Sequence, residues 1–384
     1  MSYRSLVWFA ACTAICASTV LASAQVTSSP TEIMSQPATS GPVAYIYVSS
    51  LIGNVKYQVS GYQATANGTL TPIPGSPFAD NVSSLALNGK WLFGVDSTGQ
   101  YIDSFSIGSN GALTYKDKYT TNLMGGTLYD LFLDHTGASL YAIDYTTNND
   151  YLSQSINQAT GQLSFLNDLS GGPDHNVPLS FIGDNQFAYA SSCYHFGPEI
   201  FGVQRASNGT LSYLNINPPF PAEKSGGFYC PWAAAADPTN HLAIALTPLN
   251  SNWGSDGPTQ LAVYTADSSG NLTTTSTYQN MPSVLTQGAQ TYWMSPTGKY
   301  LAVGGTGLQI FHFNGANPIT KFTGLLTTDT IDHVYWDNAN HLYASSYSAG
   351  KLYVFSVTAT SVTQAPGSPH KIRSPGSLIV LPKT

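Results

Sequence analysis

The chain has 384 residues, enough for one large domain or two ordinary ones, and 42% of them are hydrophobic, enough to bury a core. Charged residues make up only 9%, with three glutamates (Glu32, Glu199, Glu223), so the Glu- and Lys-rich surface of a helical protein is excluded, while 35 Gly, 23 Pro and 24 Tyr suit strands and turns. The formal charge of −7, with the basic residues scattered, gives no footprint for nucleic acid or for an anionic membrane.

Residues 1–24 read as a signal peptide. Arg4 supplies the positive start, Leu6 to Leu21 the apolar run, and Ala22-Ser23-Ala24 a cleavage site before Gln25. The run is short for a membrane span, which needs about 20 apolar residues, so no membrane insertion is expected after cleavage. The expected location is secreted or periplasmic. Residues 25–41 are polar and rich in Ser and Pro, a flexible leader. Residues 42–384 are then a single domain.

That domain is built on an internal repeat. An apolar strand recurs as Tyr45–Val48, Leu92–Val95, Leu140–Ile143, Phe187–Ala190, Leu242–Ala245, Tyr300–Val303 and Leu342–Ser345, at intervals of 42 to 58 residues. A short strand and a turn precede each copy; an alternating strand, a tight turn and a fourth strand follow. Asn67-Gly68, Asn110-Gly111 and Asn208-Gly209 mark those last turns, because both residues tolerate positive φ. The unit is therefore four antiparallel strands, a to d, with b apolar on both faces as a buried central strand requires. Seven such units predict an all-β, seven-bladed β-propeller. The first unit lacks strand a, and the chain ends with an unpartnered a-like segment, Pro375–Leu381. The C-terminal strand is expected to complete the first blade and close the ring.

In chain order the unusual residues fall beside the long b–c and d–a connections, around the central channel. Tyr129 and Asp130 open the third strand a, and Asp174 and His175 precede the fourth. Cys193 and His195 end the fourth strand b, while Cys230 and Trp232 open the fifth strand a. Trp253 stands in the longest b–c loop, Tyr292 and Trp293 open the sixth strand a, and Asp332 and His333 the seventh. Cys193 and Cys230, an even pair in an oxidising compartment, are expected to form a disulfide closing a loop of about 38 residues. No metal-ligand spacing and no cofactor motif occurs. His241 and His341 occupy equivalent a–b turns on the opposite face and read as structural.

The repeat resembles the seven-bladed lactonase family, which includes the propeller type of 6-phosphogluconolactonase and the carboxymuconate cyclases. The resemblance rests on Ser295-Pro-Thr-Gly-Lys-Tyr-Leu-Ala-Val303, on the Asn-Gly-Thr-Leu turns and on Thr71-Pro-Ile-Pro-Gly-Ser-Pro-Phe78. It implies the fold and a lactonase-type carboxylic ester hydrolase as ancestor. Where the family carries His-x-His and Pro-Arg-His, this chain reads Thr127-Leu128-Tyr129 and Pro231-Trp232-Ala233, and a family Glu aligns near Thr247. The catalytic motifs are thus replaced.

Two functions are expected. The first is a monomeric binding module that takes a small molecule, glycan or protein at the channel mouth through Tyr129, Asp130, Trp232, Tyr292, Trp293 and Trp253. The alternative is a diverged hydrolase of a non-phosphorylated, sugar-type lactone. It would use His175, His195 or His333 as general base, oriented by Asp174 or Asp332.

Overall fold

A computed structural model describes residues 41–53, 56–120, 126–144, 150–170, 177–194 and 197–383. The segment read as signal peptide and leader lies outside the described residues up to position 40, as do Asp174, His175 and His195.

Tyr47 shows how one residue type builds this ring. It lies in strand b of blade 1, turned toward blade 2, and its hydroxyl donates to Gly111 O in the c–d turn of that next blade (2.7 Å). Tyr141 repeats the bond from blade 3 to Gly209 O (2.9 Å), and Tyr189 from blade 4 to Gly270 O (2.8 Å). Trp91 makes the same reach with its indole N–H, from blade 2 to Gln158 O (3.3 Å). A buried aromatic ring thereby packs between blades, and its polar tip satisfies a turn carbonyl. The turn glycines match: Gly111 and Gly209 have φ of +83° and +98°, and a Cβ on Gly209 would meet Ser139 Oγ at 2.3 Å.

The blades are seven separate antiparallel sheets. Blade 2 runs Val82–Leu87, Trp91–Asp96, Tyr101–Ile107 and Leu113–Thr120; blade 3 runs Leu128–Leu133, Ser139–Asp144, Asp150–Ile156 and Leu163–Leu169. Strand a is innermost, b and c follow, and d forms the rim. A buried apolar cluster fills the contact between each pair of neighbouring blades. Leu140 and Ala142 face blade 2, while Tyr141 and Ile143, alternating with them, face blade 4. This explains why strand b is apolar on both sides.

The ring closes as the sequence indicates. Pro375–Pro382 pairs antiparallel with Ala44–Leu51, with Ala44 opposite Pro382, Tyr47 opposite Ile379 and Ser49 opposite Ser377. Ala44, Ile46, Leu378 and Val380 pack against Tyr343 and Val354 of blade 7, a cluster as complete as those elsewhere in the ring.

Blade 6 departs from expectation. Its strand a spans Gln287–Met294, so Tyr292 and Trp293 close that strand instead of opening it. The reason is a register shift between Gln287 and Thr291, an irregularity that the alternating pattern does not reveal. Its strands b and c form one continuous extended stretch, Tyr300–Asn314, folded back so that Phe313 N donates to Lys299 O (2.8 Å). Gly307, at φ +108°, makes that corner possible.

Candidate functional site

Strand a of every blade presents its free edge to the central channel. One rung of these strands collects the polar side chains. In blade 3, Asp130 pairs with Ile143 and is followed by Leu131, buried toward blade 2. The corresponding residues are Ser84 before Leu85, Thr291 before Tyr292, His333 before Val334 and Ser377 before Leu378. In each blade the second residue packs toward the preceding blade, and the first alternates with it on the innermost strand. At the corresponding places blades 4 and 5 have Pro178 and Ala233, the latter packed against the apolar cluster between blades 5 and 6. The rung is therefore two-sided: polar along blades 6, 7, 1, 2 and 3, apolar along blades 4 and 5.

A hydrogen-bonded relay fixes the polar arc. Leu85 N donates to Ser377 Oγ (3.2 Å), joining blades 2 and 1. Leu131 N donates both to Ser84 Oγ (3.2 Å) and to Asp130 Oδ1 (2.8 Å). The Ser84 hydroxyl in turn donates to Asp130 Oδ1, making a short link between blades 2 and 3. These bonds use backbone N–H groups that the innermost strand cannot pair within its own sheet.

Asp130 is the acidic group of the rung. Burial raises its carboxyl above the usual carboxylate range; the bonds from Ser84 and Leu131 and the positive charge available on His333 pull it back down. Asp130 and His333 lie in blades 3 and 7, so the influence of one on the other acts over the channel. Tyr335 belongs to the same group. Burial raises its hydroxyl, and the Asp130 carboxylate raises it further. Tyr335 also packs its ring on Trp293 of blade 6, with centroids 4.5 Å apart, in the layer nearer the a–b turns. Trp336 Nε1 donates to Trp293 O (3.0 Å), fixing that strand end.

The remaining candidates fall into three places. Tyr292 is buried in the apolar contact between blades 5 and 6, a core position equivalent to Leu131. Asp332 Oδ2 accepts from Tyr347 N (2.6 Å), holding the b–c turn of its own blade. Tyr129 is 66% exposed at the start of strand a. Trp232 and Trp253 stand in blade 5. Trp232 Nε1 donates to Thr247 Oγ1 (2.9 Å), and Thr247 Oγ1 meets Thr259 Oγ1 (2.6 Å). Trp253 packs edge-to-face on Phe228, centroids 4.9 Å apart. Trp232 and Thr247 are thus a bonded pair on neighbouring strands of blade 5. Cys193 and Cys230 form the expected disulfide between blades 4 and 5.

On the opposite face, His341 Nδ1 lies 2.8 Å from Asp337 Oδ2, buried, and His241 Nδ1 bonds Thr239 Oγ1 (2.8 Å). Both hold a–b turns. Among the described residues, no three His, Cys, Asp or Glu side chains gather closely enough to hold a metal ion.

Sequence reasoning missed Ser84 and Tyr335. Ser84 was an ordinary polar residue in an alternating strand. Tyr335 was one Tyr among many, and only the ring geometry brings it to Asp130.

The chain shares its fold with solved propellers of low sequence identity. A protein from Lactobacillus plantarum superposes with a TM-score of 0.64 at 14% identity, over 89% of this chain and 100% of the other. The periplasmic gluconolactonase PpgL of Pseudomonas aeruginosa gives 0.61 at 15% identity, over 88% and 99% of the two chains. A putative 6-phosphogluconolactonase from Bacteroides fragilis gives 0.60 at 16%, over 90% and 99%. No protein-family model matches the sequence, and no curated protein matches it.

Proposed function

We propose that this protein, on a lactonase-type propeller scaffold, binds a small, uncharged, polyhydroxylated ligand in its central channel, entered from the long-loop face. The observation that carries the reading is the two-sided rung. Ser377, Ser84, Asp130, Thr291 and His333 offer donors and acceptors on one arc, and the apolar Ala233 and Pro178 stand on the other. A sugar-like ring has the matching character: hydroxyl groups at its edge and C–H groups on its face. With Asp130 and His333 as the ionisable groups of the rung, a strongly charged ligand such as a phosphosugar has no cluster of Arg or Lys to meet it.

Isothermal titration against neutral monosaccharides, alditols and aldonolactones tests this. At least one should saturate the wild type. Asp130→Asn and His333→Ala should each weaken it about tenfold, the effect of losing one hydrogen bond to a charged group. If both variants bind as wild type, the rung is not the site.

The nearness of Asp130 and His333 favours a second reading, hydrolysis of a non-phosphorylated lactone. Neutral His333 would accept a proton from water as its oxygen attacks the lactone carbonyl. The ring C–O bond would then break, and Asp130, whose hold on a proton burial raises, would in its protonated form give that proton to the departing ring oxygen. The His333 proton returning to Asp130 through solvent would restore both groups and leave a hydroxy acid. A lactonase assay decides it: activity retained in both Asp130→Asn and His333→Ala would remove this mechanism. We also place the protein outside the cytoplasm, secreted or periplasmic. The Cys193–Cys230 bond fits an oxidising compartment. Mass spectrometry of the exported chain should find Gln25 at its N-terminus.

A further inference from the structure

Among the exposed large apolar side chains, Tyr129, Trp232, Trp253 and Tyr347 stand on the long-loop half, while Tyr115, Phe165 and Tyr213 lie on outer strands d beside the c–d turns. Two of them, Trp232 and Trp253, are 42% and 53% exposed and belong to the same blade.

Both rings are held before any ligand arrives. Trp232 stands in the irregular stretch between Pro231 and Ala234, its indole N–H committed to Thr247. Trp253 sits at φ +64° in a short turn tied by Asn250, whose Oδ1 accepts from Asn252 N (2.9 Å) and Gly254 N (3.1 Å). A bulky residue is uncommon in the left-handed region, and such residues cluster at ligand sites. Phe228 buttresses the Trp253 ring from the side. The two anchor points, Phe228 and Trp232, are four residues apart in strand a, roughly 13 Å at the usual strand rise. The disulfide fixes the strand between them through Cys230.

The surroundings identify the occupant. The neighbours of Trp253 in its turn are Asn250, Ser251, Asn252 and Ser255, and those of Trp232 are the Thr247 and Thr259 hydroxyls. These are neutral hydrogen-bonding groups. An apolar protein partner needs a contiguous apolar patch; here each ring stands among polar groups. A neutral sugar chain presents repeating C–H faces to stack on the rings, with hydroxyls between them for the amides and hydroxyls. We propose that Trp232 and Trp253 form a shelf on blade 5 that binds a neutral glycan chain, separately from the channel site and without depending on it.

Affinity electrophoresis through native gels containing hydroxyethylcellulose, laminarin, xylan, pullulan or glycol chitin tests the shelf on the full chain. Wild type should be retarded by at least one polymer. Trp253→Ala and Trp232→Ala should each cut that retardation at least fivefold, Trp253→Phe should keep most of it, and Asp130→Asn should leave it unchanged. Trp253 is exposed, so its replacement should leave the thermal midpoint near wild type and any loss can be read as binding. Migration unaffected by all five polymers, or equal retardation of wild type and both Ala variants, would overturn the proposal. Loss in Asp130→Asn with retention in the Trp variants would do so too, by moving the glycan to the channel.

Discussion

Tyr141 is the clearest single-residue test of how the blades are joined. Its hydroxyl fills the only polar need of a buried ring and satisfies Gly209 O in the next blade. Tyr141→Phe keeps the ring and orphans that carbonyl, so urea unfolding should show a loss of about 1–2 kcal/mol with an unchanged slope. Asp80 tests charge. Burial, with the Asp103 carboxylate nearby, pushes its carboxyl up to about 6. The folded state therefore holds this proton more tightly than the unfolded chain does. Stability from this group is present below the ordinary carboxylate range and is lost as pH rises toward about 6. Asp80→Asn should accordingly melt higher than wild type at pH 7, and the gap should shrink as the pH is lowered from 6 to 4. Asp96 and Asp329 are shifted down, so their contributions are lost below that window and do not mask the effect.

At the scale of elements, the disulfide joins the end of strand b in blade 4 to strand a in blade 5. Its removal frees a closed loop of about 38 residues, worth ~4 kcal/mol in the chain-entropy account. The Cys193→Ala, Cys230→Ala double variant should show a loss of that order or smaller in denaturant titration, and reduction should bring wild type to the same midpoint. Strands were also where the sequence was most and least legible. Strands b and the Asn-Gly turns announced themselves, because burial on both sides and positive φ each demand particular residue types. Blade 6 did not. A register shift in strand a moves Tyr292 into the core and Trp293 to the far end of the strand, and the residues around it carry no signature of that shift. Asp332 shows a similar gap: nothing in the sequence announced that its carboxylate accepts from the Tyr347 backbone. Alternation tells which residues share a face of one strand. It does not tell what faces them from a neighbouring blade, and so Ser84 and Tyr335 were invisible until the ring was closed.

For the whole molecule, the ring makes stability collective. Each blade buries both its faces against neighbours, so losing one strand exposes two apolar contacts. Removing residues 375–384 should take away strand a of blade 1 together with the packing of Leu378 and Val380 against blade 7 and of Ile379 and Leu381 against blade 2. The truncated chain should lose its cooperative transition, measured by circular dichroism, and amide exchange should quicken in every blade. Protection retained in blades 3 to 5 would show instead that the ring is a string of independent units.

The pairing of Ala44 with Pro382 also dictates an order of events during biosynthesis. Blade 1 cannot be complete before Pro375–Pro382 has been made, so a nascent chain carries the inner edge of Ala44–Leu51 without its partner strand until then. Circularity is then a late event, and the Tyr45–Val48 edge stays open to wrong partners until Pro375–Pro382 docks.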